Sequence, residues 1–185
     1  MLKTERALLH DVCRGDRDAQ RELYGRFSGC AASVAMRYVA DMDAMKDVMQ
    51  DSFVKVFTRI RTFNYRGEGS LKAWIIRIVA NESLNYLKQR VRYADLDTIP
   101  DEPDDGTEPP VNKVPPDKLM KMIAELPEGY RTVINLFVFE QKSHKEIASL
   151  LGIKENSSAS QYLRAKKQLA NKIKTYIQQH EESDI

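Results

Sequence analysis

Residues 62–70 carry side chains that could hold an unpaired nucleobase. Their sequence is TFNYRGEGS, in which two aromatic rings flank an amide and stand beside an arginine. Aromatic rings stack on bases, amides and guanidinium groups hydrogen-bond to them, and glycines let the backbone approach closely. The candidate base-binding residues are Phe63, Asn64, Tyr65 and Arg66. The same rings could instead fill a gap in a helical bundle, and the residues alone leave both interpretations open.

A polar stripe follows this segment along the chain. At helical spacing, one face carries Arg77, Asn81, Asn85, Lys88 and Arg92. The opposite face is apolar and consists of Leu71, Trp74, Ile75, Ile78, Val79 and Leu87. Amides and cations on a single helix face can contact bases and phosphates together. An ordinary solvated face is the alternative interpretation.

An acidic and amide-bearing face precedes the aromatic segment. Asp47, Gln50 and Asp51 lie at positions i, i+3 and i+4, opposite an apolar stripe of Met45, Val48, Met49, Phe53, Val56 and Phe57. Such a face could dock on a basic partner surface. It could equally be a solvated face of a helix.

The C-terminal third has the pattern of a helix-turn-helix. Ser143 and Glu146 have the spacing of a capping box, and Gly152 predicts a left-handed residue that ends the first helix. A basic second helix follows, with inward positions Ser158, Tyr162, Ala165, Leu169 and Ile173. Its predicted outward face offers Ser157, Ser160, Gln161 and Arg164 to base edges, with Lys167 beside them for phosphate. A plain helical hairpin with a solvated face is the alternative.

Helices are the elements that must position these groups. Asp18 predicts the start of a helix to about Ala40, Asp43 the start of the next, and Ser70 the start of a third that runs to about Arg92. Neither half of the chain shows the two-residue alternation of a strand. The predicted fold class is therefore all-α.

Charge is segregated along the chain of 185 residues, although the formal net charge is only +2. Residues 59–92 carry a net +6 and residues 153–174 a net +5, whereas residues 95–116 carry −6 and six of the seven prolines. Acidic residues and prolines disfavour a packed core, so we predict a flexible linker. The expected organisation is two small helical domains at 1–94 and 117–185, joined by residues 95–116. A long surface loop within one domain is the alternative.

Several classes of protein are disfavoured by composition. Two cysteines and three histidines have no metal-ligand spacing, and we find no nucleophile–base pair or phosphate-binding glycine loop. No apolar run approaches the roughly 20 residues that span a bilayer, and the first six residues lack the apolar segment of a signal peptide. We expect a cytoplasmic protein without metal, cofactor, enzymatic activity or membrane insertion.

The motifs together resemble the extracytoplasmic-function (ECF) subfamily of the bacterial sigma-70 factors. The segments similar to sigma region 2 are DAMKDVMQDSFVKVF at 43–57, FNYRGEGS at 63–70 and WIIRIVAN at 74–81. Those similar to region 4 are LPEGYRTV at 126–133 and SHKEIASLLG at 143–152. The likeness covers almost the whole chain in the right order. One departure is Ala159 and Gln161, where many relatives are basic.

The resemblance implies a subunit that binds RNA polymerase core through the β′ clamp helices and the β flap and directs it to promoter DNA. Core contacts would come from Asp47, Gln50, Asp51 and Phe53. The −10 element would be contacted by Phe63, Asn64, Tyr65, Arg66, Arg77, Asn81, Asn85 and Lys88, and the −35 element by Ser157, Ser160, Gln161, Arg164 and Lys167. An anti-sigma factor is a further implied partner, and we expect a monomer when the protein is free. The rival functions are a free-standing operator-binding regulator and an adaptor that binds only protein.

Overall fold

The computed structural model describes residues 3–90 and 110–181, and the chain divides into two compact units between Gln89 and Arg90. Both units are helical, and no strand occurs within the described ranges, which confirms the all-α prediction. Arg92 and most of the predicted linker, residues 95–109, lie outside the described residues. The predicted domain boundaries therefore stay predictions.

Residues 3–90, which contain the described part of the first unit, form four α-helices. They are α1 (Glu5–Cys13), α2 (Arg17–Tyr38), α3 (Met42–Arg59) and α4 (Ser70–Arg90), with a 3₁₀ turn at Ile60–Thr62. Asp16 caps α2 by accepting from Asp18 N at 2.8 Å, and Asp41 caps α3 by accepting from Ala44 N at 2.8 Å. The predicted caps Asp18 and Asp43 are wrong by two positions, because each lies inside the first turn, where the helix dipole also favours an acidic residue.

The core of the first unit is formed by the inward faces of these helices. Its fully buried residues include Leu8, Leu23, Tyr38, Val56, Leu71, Ile75 and Val79. Burying each large apolar side chain stabilises the fold by about 1.5–3 kcal/mol. Helix α2 packs against α1 and α3, and the 3₁₀ turn contacts both α1 and α3. The segment that follows the turn, residues 63–69, is therefore attached to a packed scaffold at its start.

The second unit is organised around one long helix. Its elements are a 3₁₀ turn (Val111–Lys113), α5 (Pro116–Ala124), α6 (Glu128–Ile134), a π-helical turn (Asn135–Phe139), α7 (His144–Leu151) and α8 (Glu155–Glu181). Helices α5, α6 and α7 all pack against α8. The buried cluster beneath them includes Ile123, Leu126, Tyr130, Ile134, Ala165, Leu169 and Ile173.

The end of the predicted linker belongs to the second unit. Val114 is 6% exposed and lies in the same buried cluster, although the sequence placed it in the flexible segment. It precedes the Pro115 cap of α5, and Leu119, the fourth residue of the helix, packs against that cluster. These are the two positions of a hydrophobic staple, in which an apolar residue before a helix packs on one in its second turn. A single valine is thus ordered by the helix that it precedes.

No helix in the ranges 3–90 and 110–181 has the length and apolar character needed to cross a membrane. In the same ranges, no group of three or more His, Cys, Asp or Glu side chains could hold a metal ion.

Candidate nucleic-acid interface and partner surfaces

The aromatic segment, residues 63–69, joins the 3₁₀ turn to α4. The Phe63 ring is half-buried and packs on Trp74 of α4, with ring centroids 5.0 Å apart and planes inclined by 38°. Asn64 and Arg66 are exposed, and Tyr65 is half-buried. Phe63 therefore contributes to packing, whereas the amide and guanidinium groups remain available to a ligand.

Hydrogen bonds fix the backbone around Arg66. The Ser70 hydroxyl accepts from Arg66 N at 3.2 Å and donates to Gly67 O at 2.6 Å. Gly67 and Gly69 have φ values of 119° and 85°, a region that side-chain-bearing residues rarely adopt.

Burial raises the pKa of the Tyr65 phenol, and the nearby carboxylates, Glu68 first, raise it further. Tyr65 is thus a neutral hydrogen-bonding group at neutral pH.

Glu5 holds the start of α4 from another helix. Its carboxylate, on a residue only 3% exposed, accepts from Gly69 N at 2.9 Å and from Leu71 N at 3.3 Å. Ser70 was the predicted cap, but it bonds the preceding turn instead, and Glu5 fills that role. The sequence offered no local signal for this contact, because Glu5 and Gly69 are 64 positions apart.

Helix α4 presents the predicted polar stripe to solvent. Arg77, Asn81, Asn85 and Lys88 are all exposed, while Leu71, Ile75 and Val79 on the opposite face are fully buried. Glu82 pairs with Lys55 of α3, which ties the two helices beside the stripe. Of the predicted apolar face, Trp74 and Ile78 are only half-buried. The stripe begins at Arg77, about two turns into the helix that directly follows the aromatic segment.

The acidic face of α3 is exposed, but one of its predicted members is not. Asp47, Gln50 and Asp51 are exposed, and Val54, one turn further on, is 55% exposed. Phe53 is only 4% exposed, and its ring centroid lies 4.7 Å from that of Tyr24. The assignment of Phe53 to the core-binding surface is therefore corrected to a packing role, because it belongs to the buried stripe of α3.

The helix-turn-helix of the second unit has the predicted local chemistry. Ser143 and Glu146 form a complete capping box, and Gly152 has φ 70°, the left-handed conformation expected at the end of α7. The His144 ring stacks on Phe137 with centroids 4.6 Å apart, and its Nδ1 lies 3.0 Å from Ser158 Oγ. His144 thus links the start of α7 both to the π-helical turn and to α8.

The predicted outward face of α8 is partly wrong. Ser157 is 9% exposed and Gln161 only 1%, whereas Ser160 and Arg164 are half-buried and Lys167 is exposed. The inward residues Ser158, Ala165 and Ile173 are buried as predicted. Three helices pack against α8, so its buried arc is wider than one apolar stripe and takes in both Ser157 and Gln161.

Two residues of the exposed face were missed from the sequence. Asn156 is exposed, and Leu163 is 41% exposed. With Ser160 and Lys167 they follow the spacing 156, 160, 163, 167, which is one helix face. The helical spacing from the inward Ser158 indicates this face, but a leucine is more typical of a core position than of an exposed one.

Comparison with known proteins gives matches to both units. Sequence models of sigma-70 region 2 and sigma-70 region 4 match residues 23–93 and 117–169. The ECF RNA polymerase sigma-E factor of Haemophilus influenzae is 31% identical over 183 residues, covering 92% of this chain and 95% of that protein. The Escherichia coli K12 sigma-E factor is 29% identical over 187 residues, covering 94% and 96%. The solved structure of CnrH in complex with the cytosolic domain of CnrY has a TM-score of 0.50 at 22% identity, covering 94% of this chain and 99% of that chain, which is a likeness of fold.

Proposed function

The chain belongs to the extracytoplasmic-function subfamily of the sigma-70 RNA polymerase sigma factors, and from that membership we propose how its surfaces recognise a promoter. As a sigma factor it is a transcription initiation factor and not an enzyme. The chemistry of RNA synthesis belongs to the polymerase core. What this chain supplies is the recognition of DNA and the capture of its opened strand.

The −10 surface comprises the aromatic segment and the exposed stripe of α4. The observation that carries this assignment is that exposed Asn64 and Arg66 directly precede the helix whose exposed stripe is Arg77, Asn81, Asn85 and Lys88. Unstacking a base costs a few kcal/mol, which stacking and hydrogen bonds to the extruded base offset. Tyr65 and Arg66 hold the extruded base, and the α4 stripe contacts the strand that follows it.

The core-binding surface comprises Asp47, Gln50 and Asp51 of α3, and it docks on the β′ clamp helices. The exposed Val54 adds an apolar contact at the edge of the same face. Region 4 docks on the β flap. An anti-sigma factor is a further partner that membership of this subfamily implies, and CnrH, a protein of similar fold, was solved in complex with the cytosolic domain of CnrY. Action on polymerase locates the protein in the cytoplasm, where it is monomeric when free.

The −35 surface is the face of α8 on which Asn156, Leu163 and Lys167 are exposed and Ser160 is half-buried. Arg164 and Ala159 lie at the two opposite edges of this face. Asparagine and serine hydrogen-bond base edges, lysine contacts phosphate, and an apolar side chain contacts the C5-methyl group of thymine. Ser157 and Gln161 support the helix from the buried side and do not contact DNA.

Leu163→Ala is expected to weaken binding of a −35 duplex by about fivefold, because it removes an apolar contact with thymine. In the wild-type protein, deoxyuridine at one thymine of the element should produce the same loss, and Leu163→Ala should add nothing on that duplex. Fluorescence anisotropy of the core–sigma complex on labelled duplexes measures both. Val138→Ala is the control, since Val138 is 43% exposed on another segment. If the losses from Leu163→Ala and from deoxyuridine were additive at every thymine of the element, a contact between Leu163 and a thymine methyl group would be contradicted.

Reconstituted transcription tests the proposed function as a whole. Purified bacterial core with this protein should start RNA at specific positions on genomic promoter fragments, and the protein alone should bind those fragments weakly. A free-standing operator-binding regulator predicts the opposite: tight sequence-specific binding without core. Absence of a specific start on every fragment would exclude the sigma function for this chain. An adaptor that binds only protein would give neither signal.

A further inference from the structure

Two helix N-termini in the first unit are capped by carboxylates from each other's segments. Glu5, the first residue of α1, accepts from Gly69 N and Leu71 N at the start of α4. In return, Glu68 accepts from Glu5 N at 3.0 Å. The first amide groups of a helix have no partner within it and carry its positive dipole, so a carboxylate is a favourable ligand for them. The two carboxylates of Glu5 and Glu68 thus accept hydrogen bonds from backbone amides at the starts of both α4 and α1.

Both carboxylates act on the aromatic segment and not only on the helices. Gly69 belongs to the segment itself, and the Tyr65 phenol lies against Glu68. Two of the nearby residues, Gly67 and Gly69, have positive φ. Because glycine has no Cβ, these residues restrict the backbone conformation little by themselves. The Ser70 hydroxyl fixes the middle of the turn. Without the pair, the C-terminal end of the segment would lose its tie to α1.

Burial makes Glu5 different from the acidic residues on the surface. A carboxylate that is 3% exposed is stable only where hydrogen bonds replace its water, and here two backbone donors do so. Removing it leaves the Gly69 and Leu71 amides without their acceptor. A purely local defect at the start of α4 follows, because the apolar contacts of Leu71 and Ile75 with the core are untouched.

We propose that Glu5 is a positioning residue for promoter opening: through Gly69, Leu71 and Glu68 it holds residues 63–69 in the conformation that receives the extruded base. This inference rests on the proposed function of that segment. It makes α1, which carries none of the proposed DNA contacts, a determinant of DNA recognition. The energetic basis is preorganisation, since a segment already ordered in the free protein loses less entropy on binding.

Glu5→Ala and Glu5→Gln in the full-length protein test this role. Glu5→Gln keeps an acceptor oxygen at the same reach but loses the charge. For a single-stranded −10 oligonucleotide bound to the core–sigma complex, we expect about a tenfold loss of affinity in Glu5→Ala and a smaller one in Glu5→Gln. Affinity for core should stay unchanged. Asp18→Ala is the matched control, because Asp18 is an exposed acid that pairs with Arg21 in its own helix turn.

Hydrogen exchange of the free protein separates this inference from the proposed function. The Gly69 and Leu71 amides should exchange faster in Glu5→Ala, while the amides of Ile75 and Val79 keep their protection. If the wild-type complex does not bind the oligonucleotide, the proposed −10 function fails. The exchange rates alone then decide whether Glu5 holds the start of α4. The role of Glu5 is overturned if Glu5→Ala leaves the exchange rates of the Gly69 and Leu71 amides unchanged. It is also overturned if the wild-type complex binds the oligonucleotide and the Glu5→Ala complex binds it equally well. If Glu5→Ala does not fold, the same two comparisons apply to Glu5→Gln.

Discussion

The double variant Arg66→Ala/Asn81→Ala is expected to reduce stable promoter opening by about 100-fold while changing core affinity by less than about twofold. Each side chain is exposed in the free protein, so alanine removes no buried contact. A bidentate or stacking contact to a base contributes about 1–3 kcal/mol, and two such contacts give a loss of this size. Permanganate reactivity of opened thymines measures the promoter complex, and anisotropy with labelled sigma measures core binding.

The matched control is the double variant Asp47→Ala/Gln50→Ala on the exposed face of α3. It should weaken core binding and leave promoter opening normal once core is saturated with sigma. All four side chains lie on the first unit and are exposed, so neither double variant should unfold it. A general loss of folding would instead lower core binding and promoter opening together. Equal losses of core binding and opening in both variants would contradict the division of surfaces proposed here.

Local chemistry was predictable from the sequence. The capping box of Ser143 and Glu146 and the left-handed Gly152 were confirmed, because each depends on hydrogen bonds or dihedral angles within a few residues. The starts of α2 and α3 were wrong by two positions for a related reason. Each helix start carries two aspartates, one at the cap and one in the first turn, and an acidic residue is favourable at both positions. The first of each pair, Asp16 or Asp41, is the cap.

Contacts between distant segments were not predictable in this way. The tie from Glu5 to Gly69 spans 64 positions, and a glutamate near the start of a chain carries no mark of burial. The same limit explains the error on α8. Periodicity identified Ala165, Leu169 and Ile173 as inward, but the width of the buried arc depends on how many helices pack around α8. Polar residues at the edge of that arc, Ser157 and Gln161, were assigned to the wrong side.

Substituting Gln161 by leucine is expected to raise the free energy of unfolding of the second unit by about 1–2 kcal/mol. Gln161 is 1% exposed, and within residues 3–90 and 110–181 neither its Oε1 nor its Nε2 has a hydrogen-bond partner. A buried amide left unsatisfied costs about 1–3 kcal/mol, and replacing it with an apolar group of similar size removes that cost. Leucine also has a high helix propensity, so the backbone of α8 is not penalised.

Native-state hydrogen exchange at Ala165 and Leu169 reports the stability of this unit without contribution from the first. Gln168→Leu is the control on the same helix; Gln168 is exposed, so the change should stay within about 0.5 kcal/mol. Affinity for a −35 duplex should be unchanged in Gln161→Leu, since the side chain lies on the buried side of α8. A loss of DNA affinity at unchanged stability would restore Gln161 to the recognition face. A loss of stability would instead mean that its amide makes a hydrogen bond in the folded unit.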